Sequence, residues 1–90
     1  MAWEIEISET ARKQLMKLDR QAKENILKYL KGRIAPAEDP RSFGDPLRGS
    51  LAGLWKYRVG SYRVIFRIQD QDLVVLVVRV VHRKRIYGGH

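Results

Sequence analysis

The strongest constraint on the fold of this chain is an alternating stretch from Leu54 to Phe66, interrupted by a Gly-Ser pair. Successive side chains of a strand point to opposite faces, so each half of the stretch predicts one strand. Gly60 can supply the backbone angles of a tight turn, and the whole stretch therefore predicts a β-hairpin. One predicted face is aromatic and aliphatic: Trp55, Tyr57, Val59, Tyr62, Val64 and Phe66. The other is mainly cationic: Lys56, Arg58, Arg63, Ile65 and Arg67.

The rest of the chain predicts an α+β fold in the order β-α-α-β-β-β. Residues 3–7 alternate as a first strand, and Ser8 and Asp19 each stand where they can cap an amphipathic helix. All three prolines fall in residues 36–46, which predicts a loop. The apolar run of residues 73–81 predicts a last strand in the middle of the sheet. We expect a helical hairpin packed on one face of a small, mainly antiparallel sheet.

Composition limits the classes of function that remain. Ninety residues predict a single domain, residues 1–90, and the net charge of +8 favours polyanionic partners. The chain has no cysteine and two histidines, so we expect neither a disulfide nor a metal site, and no cofactor. The first residues lack the pattern of a signal peptide, and the longest apolar run is too short to cross a bilayer. We therefore expect a cytoplasmic protein with no membrane partner.

The last strand extends the cationic face of the hairpin. Its odd positions predict Arg79, Val81 and Arg83 on that face, and its even positions predict Val78, Val80 and His82 on the helix side. Six cations would then share one open surface: Lys56, Arg58, Arg63, Arg67, Arg79 and Arg83.

This one-signed surface favours anion binding over mere solubility. A face that only needs charge to stay soluble is expected to mix signs, since neighbouring like charges repel. Residues 54–69 and 73–90 contain no carboxylate. Arginine binds phosphate with two parallel hydrogen bonds and remains charged at any working pH.

Few classes of reaction suit such a cationic face. The sequence contains no acidic pair for sugar or two-metal chemistry, no Ser-His-Asp set and no phosphate loop. RNA cleavage is different, because the neighbouring 2′-hydroxyl is the nucleophile and no metal is required. A base must take the hydroxyl proton, cations must stabilise the phosphorane, and an acid must protonate the departing 5′-oxygen.

The same residues carry a resemblance to a known family. Residues 47–49, the hairpin of residues 54–65 and a late Val-Val-His-Arg-Lys-Arg-Ile-Tyr segment together resemble the RelE/ParE toxin superfamily over essentially the whole chain. The resemblance is stronger to the RelE branch. It implies a ribosome-dependent endoribonuclease of a type II toxin–antitoxin system, which cuts mRNA on the ribosome and is inhibited by a cognate antitoxin.

The resemblance also assigns residues to roles. It implies that Lys56 and Arg58 are the basic pair of the first hairpin strand, with Lys56 as the candidate base. Arg63 then stabilises the transition state, Arg83 donates the proton, and Tyr87 stacks on the mRNA. Two departures from the family pattern stand out: Arg58 replaces a lysine of the founding members, and the spacing from Arg83 to Tyr87 is shorter.

Further residues and alternatives remain open. Arg58, Arg67 and Arg79 are predicted RNA-binding residues, and His82 is a further candidate acid or base, although strand parity predicts that it faces the helices. One alternative is a ParE-like inhibitor of DNA gyrase with the same fold. Another is a relative that binds RNA or the antitoxin without activity.

Overall fold

Two helices cover one face of a five-stranded sheet in residues 2–82, the part of the chain that the structure, a computed structural model, describes. The first elements are strand β1 at Glu4–Ile7, helix α1 at Glu9–Met16 and helix α2 at Arg20–Tyr29, which continues into a π-helical turn at Leu30–Ile34. The later strands are β2 at Asp45–Pro46, β3 at Trp55–Val59, β4 at Tyr62–Gln69 and β5 at Val74–His82. The sheet order is β1-β5-β4-β3-β2, parallel between β1 and β5 and antiparallel elsewhere. The predicted α+β architecture is confirmed.

Both helices begin at the predicted capping residues. The Ser8 hydroxyl accepts a hydrogen bond from the backbone N–H of Ala11 at 3.1 Å. Asp19 Oδ1 accepts one from the N–H of Ala22 at 2.8 Å. Each cap satisfies a donor that the first helical turn leaves unpaired and stabilises the helix by about 1 kcal/mol.

The core lies between the helices and the apolar face of the hairpin. The rings of Tyr57 and Phe66 stack with centroids 3.8 Å apart. The Tyr57 hydroxyl donates a buried hydrogen bond to the carbonyl oxygen of Pro40 at 3.0 Å. Trp55 is half-buried, and the fully buried residues of the helical layer include Ala11, Ile26, Leu30 and Ile34. The predicted division of the hairpin into a core face and a cationic face is therefore confirmed.

The segment predicted as a loop contains a short edge strand. Asp45 and Pro46 pair with Lys56 and Trp55 as β2. The prolines predicted a loop instead of this strand, because proline lacks a backbone donor and is accepted in sheets mainly at an edge. Gly44 allows the close approach, because a Cβ there would lie 2.9 Å from the Lys56 carbonyl oxygen.

A β-bulge in β5 corrects the predicted side of Val78. Ile65 pairs with Arg79 and Phe66 pairs with Val77, so Val78 is the extra residue. Strand parity predicted Val78 on the helix side, but it lines a cavity on the opposite face together with Ile65 and Arg79. The two residues of a bulge that oppose one partner interrupt the alternation of faces. Val77 is consequently buried in the core while Arg79 is exposed on the other side.

Candidate nucleic-acid interface

Five of the predicted cations lie on the helix-free face of the sheet, here called the cationic face: Lys56, Arg58, Arg63, Arg67 and Arg79. Lys56 and Arg79 both pair with Ile65, so these three residues form one row across β3, β4 and β5. Arg58 pairs directly with Arg63 in the next row. Within residues 2–82, the ion pairs all lie elsewhere, at Arg12, Arg20 and Arg41. The register therefore gathers positive charge on this face, with Asp45 of β2, which pairs with Lys56, as a carboxylate at its edge.

Arg63 is the least satisfied of these side chains. Its Nε atom is buried and has no hydrogen-bond partner in the described part of the chain. Leaving a buried donor unpaired costs about 1–3 kcal/mol, so native structures rarely do so without a reason. The side chain also lies opposite Arg58, and the two line a cavity of about 220 Å³ with Gly60 and Tyr62. A bound phosphate would relieve the charge repulsion and supply acceptors to both guanidinium groups.

The cationic face also has an apolar part that the sequence did not predict. Ile65 is only 3% exposed, although it lies on the helix-free side. A cavity of about 400 Å³ borders it, with Arg67 and Arg79 among its lining residues. Its apolar lining comes from Leu47, Leu51, Leu54, Ile65 and Val78. The signal in the sequence was the helical spacing of Leu47, Leu51 and Leu54, although only a short 3-10 turn forms in this segment, at Gly49–Leu51.

The remaining predicted site residues lie at the end of β5. His82 is on the helix side, as parity predicted, with its ring edge-on to Tyr62 at a centroid distance of 5.2 Å. The bulge precedes Arg79 and leaves the alternation between Arg79 and His82 intact. Arg83 and Tyr87 lie outside the described residues.

Residues 2–82 contain no group of three or more His, Cys, Asp or Glu side chains that could hold a metal ion. No helix among them is long and apolar enough to cross a membrane.

The fold is a helical hairpin on a five-stranded, mostly antiparallel sheet with a cationic face, and comparison with known proteins identifies the family. The family model described as "ParE toxin of type II toxin-antitoxin system, parDE" matches residues 5–87. The chain belongs to this family of type II toxins, and the RelE/ParE resemblance found in the sequence is confirmed.

Curated relatives and solved structures agree with this assignment. Toxin RelG of Mycobacterium tuberculosis is 34% identical over 97% of this chain and 98% of its own length. The mRNA interferase toxin RelE of Escherichia coli is 31% identical over 94% of this chain and 87% of its own length. The toxin–antitoxin complex RelBE2 of Mycobacterium tuberculosis contains a chain with a TM-score of 0.85 and 32% identity, covering 94% of this chain and 95% of that one. The intact RelBE complex of Escherichia coli gives a TM-score of 0.73 and 26% identity, covering 93% of this chain and 100% of that one.

Proposed function

We propose that this toxin is a ribosome-dependent endoribonuclease that cleaves mRNA by attack of the 2′-hydroxyl, in a step that needs no metal ion. The observation that carries the proposal is the Arg58–Arg63 pair, with the buried Nε of Arg63 unpaired among the described residues. Two facing arginines are unfavourable without an anion between them and suited to a phosphate that gains charge. The similarity to a relative named mRNA interferase toxin RelE supports the same activity.

The proposed reaction assigns one task to each group. Lys56, in the row beside Arg58 and Arg63, takes the proton of the 2′-hydroxyl, whose oxygen forms the new bond to phosphorus. Arg63 stabilises the charge of the phosphorane, and the bond to the 5′-oxygen breaks as Arg83 donates a proton. Arg58, Arg67 and Arg79 bind the RNA backbone, and Tyr87 stacks on a base.

The proposed partners follow from this reaction. None of the described cationic-face residues is a histidine, whose ordinary pKa would suit proton transfer at neutral pH. We therefore propose that the ribosome holds the mRNA in the reactive geometry, which places the toxin in the cytoplasm. A cognate antitoxin is the proposed inhibitor, because similar toxins have been solved in toxin–antitoxin complexes.

Primer extension tests the proposal in a translating extract, with the same transcript free of ribosomes as the comparison. We expect cleavage on ribosomes, little cleavage of the free transcript, and weaker binding as salt rises, because phosphate contacts release counterions. Equal cleavage of free and ribosome-bound RNA would contradict the proposed ribosome dependence. An intact transcript together with inhibited gyrase supercoiling would instead establish the ParE-like alternative.

A further inference from the structure

A second cleft lies beside the β3–β4 turn, on the side where helix α2 passes. Its helical wall follows one stripe of α2 and the π-helical turn, and its opposite wall is the turn itself. The cavity measures about 540 Å³. Its lining residues include Asn25, Lys28, Tyr29, Gly32, Arg33 and Gly60. None of them belongs to the cationic face.

The charge of this cleft is positive. Lys28 and Arg33 both line it, both are exposed, and neither forms an ion pair within residues 2–82. No carboxylate lines the cleft; Asp19 lines a separate, smaller cavity that shares Asn25 and Gly60 with it. An anion is the ligand that this arrangement favours.

An aromatic ring and an amide also line the cleft. Tyr29 is half-buried with its ring edge-on to Tyr57, and burial raises the pKa of its phenol while nearby Arg33 lowers it. Gln21 donates to Asn25 Oδ1 at 3.0 Å, which leaves the Asn25 amide nitrogen to donate elsewhere. The cleft thus offers apolar ring surface, amide donors and cations side by side, the set that suits a ribose with its phosphates.

The backbone of the helical wall is unusual at this point. Residues 30–34 form a π-helical turn, a rare conformation that is frequent at functional sites. Gly32 lies within it, and a Cβ there would meet no atom within 4 Å. Packing therefore does not require a glycine, although a helical glycine costs about 0.5–1 kcal/mol relative to alanine. An absent side chain lets a bound partner approach the helix backbone closely.

The turn connects this cleft with the cationic face. Gly60 lines both the cleft and the cavity of Arg58 and Arg63. Gly60 has a φ of +60°, and a Cβ there would also meet no atom within 4 Å. An extended polyanion can therefore cross the turn without meeting a side chain at this position.

We infer that the cleft between α2 and the β3–β4 turn is a second RNA-binding site, which takes the ribose–phosphate backbone of a single-stranded segment through Lys28, Arg33 and Asn25. This inference rests on the proposed function and extends it from the cleavage site to the path of the RNA.

The test compares two double variants with the same net charge. Lys28→Ala/Arg33→Ala removes the cations of the cleft, and Lys13→Ala/Arg20→Ala removes exposed helical cations outside it. Affinity is measured on ribosomes carrying an mRNA with a 2′-deoxy nucleotide at the scissile position, so that binding occurs without cleavage. The cleft variant should bind about tenfold more weakly than the control variant. The slope of log affinity against log salt should be smaller for the cleft variant than for the control variant by about 1.4, the value for two lost phosphate contacts on a single strand. Equal affinity and equal slope in the two variants would overturn the inference.

Shortening the mRNA identifies the source of the bound segment. If the cleft takes mRNA, the difference between the variants should disappear on a message that ends at the ribosomal A site. If it takes ribosomal RNA, the difference should persist on that message. Both outcomes support an RNA-binding cleft.

A steric variant separates charge from shape. Gly32→Gln adds no charge but fills the space beside the helix backbone, whereas Gly32→Ala adds only a methyl group. Gly32→Gln should weaken ribosome binding more than Gly32→Ala, and neither variant should lower the thermal unfolding midpoint below that of the parent. Equal binding by both would contradict the close approach to the helix.

The outcomes also separate this inference from the proposed function. Weakened ribosome binding by the cleft variant, together with no RNA cleavage by the parent protein, would leave the site standing and remove the nuclease. Normal cleavage by the parent, together with identical binding by the two double variants, would support the nuclease and remove the second RNA-binding site.

Discussion

The side chain of Gln14 accepts a hydrogen bond from the backbone N–H of Val80 at 2.7 Å, next to the bulge in β5. β1 ends at Ile7, so its ladder with β5 ends at Val77. Beyond that point two side chains bond the backbone of β5 in place of β1. One is Gln14, and the other is Ser8, whose hydroxyl donates to the carbonyl oxygen of Val78 at 3.2 Å. Helix α1 thereby satisfies the backbone groups around the bulge that turns Arg79 toward the cationic face.

Removing the Gln14 acceptor should destabilise the protein. In Gln14→Met the Val80 N–H loses its partner in a half-buried position, which should lower the free energy of unfolding by about 1–3 kcal/mol. Urea denaturation measures the change. The matched control is Gln21→Met, whose hydrogen bond to Asn25 is exposed and should contribute less than about 0.5 kcal/mol. Equal losses in the two variants would show that the bond to Val80 does not support the bulge.

Arg63→Ala should lower cleavage far more than it lowers stability. Losing one donor to a developing charge reduces rates by about a hundredfold to a thousandfold at comparable sites. The free energy of unfolding should stay constant or rise slightly, because the variant removes a buried, unpaired Nε. Single-turnover cleavage on ribosomes and urea denaturation measure the two effects, with the exposed Arg20→Ala as control. Wild-type cleavage by Arg63→Ala would exclude Arg63 from the reaction.

Lys56 should control the pH dependence of cleavage if it is the base. The base must be deprotonated to accept the 2′-hydroxyl proton, so the single-turnover rate should rise with pH through the neutral range. Lys56→Ala should flatten that rise, and Lys56→Arg should flatten it as well, since arginine keeps the charge but does not lose its proton. A pH–rate slope that survives in both variants would leave Lys56 as a phosphate contact.

Tyr57→Phe should cost stability at neutral pH and less at alkaline pH. The variant leaves the buried carbonyl of Pro40 without its donor, a loss of about 1–2 kcal/mol. Burial raises the pKa of Tyr57 in the folded state, so its contribution is complete below the unfolded value near 10 and is lost as pH rises above it. Chemical denaturation at pH 7 and above pH 10 should therefore show a narrowing gap between the parent and Tyr57→Phe.

The control for that series is Tyr62→Phe. Tyr62 is half-buried, and its hydroxyl forms no hydrogen bond with a described residue. Its replacement should change the free energy of unfolding by less than about 0.5 kcal/mol at pH 7. A gap that stays constant with pH would mean that the Tyr57 phenol ionises equally in both states.

Two glycine-to-alanine changes should have opposite effects on stability. In Gly44→Ala the new Cβ meets the Lys56 carbonyl oxygen at 2.9 Å, and this backbone atom moves only with the strand. The expected loss is about 1–3 kcal/mol. Gly32→Ala meets no atom within 4 Å and should gain up to about 1 kcal/mol from helix propensity. Thermal unfolding of both variants checks the contrast, and a stable Gly44→Ala would show that β2 can shift away.

The parts of this fold that follow from short-range physics were predictable. Alternation along the hairpin separates Tyr57 from Arg58 because successive strand residues face opposite ways. Ser8 and Asp19 cap helices because a short polar side chain beside the first turn can accept its free N–H groups. The common face of Lys56, Arg58 and Arg63 could be predicted for the same local reason.

Other features depend on residues far apart in the chain. The bulge at Val78 depends on where β1 ends and on side chains of helix α1 about 70 residues earlier, so the period of β5 alone does not reveal it. The edge strand β2 pairs with β3 directly after Gly44, and the only signal for it in the sequence was the glycine at position 44. The cleft at Gly32 exists because α2 lies against the β3–β4 turn, and the pattern of α2 alone does not reveal that neighbour. Local alternation and capping thus determined the helices, the strands and the faces of the hairpin. Hydrogen bonding of backbone groups and packing between distant segments decided the bulge at Val78, the edge strand β2 and the cleft at Gly32.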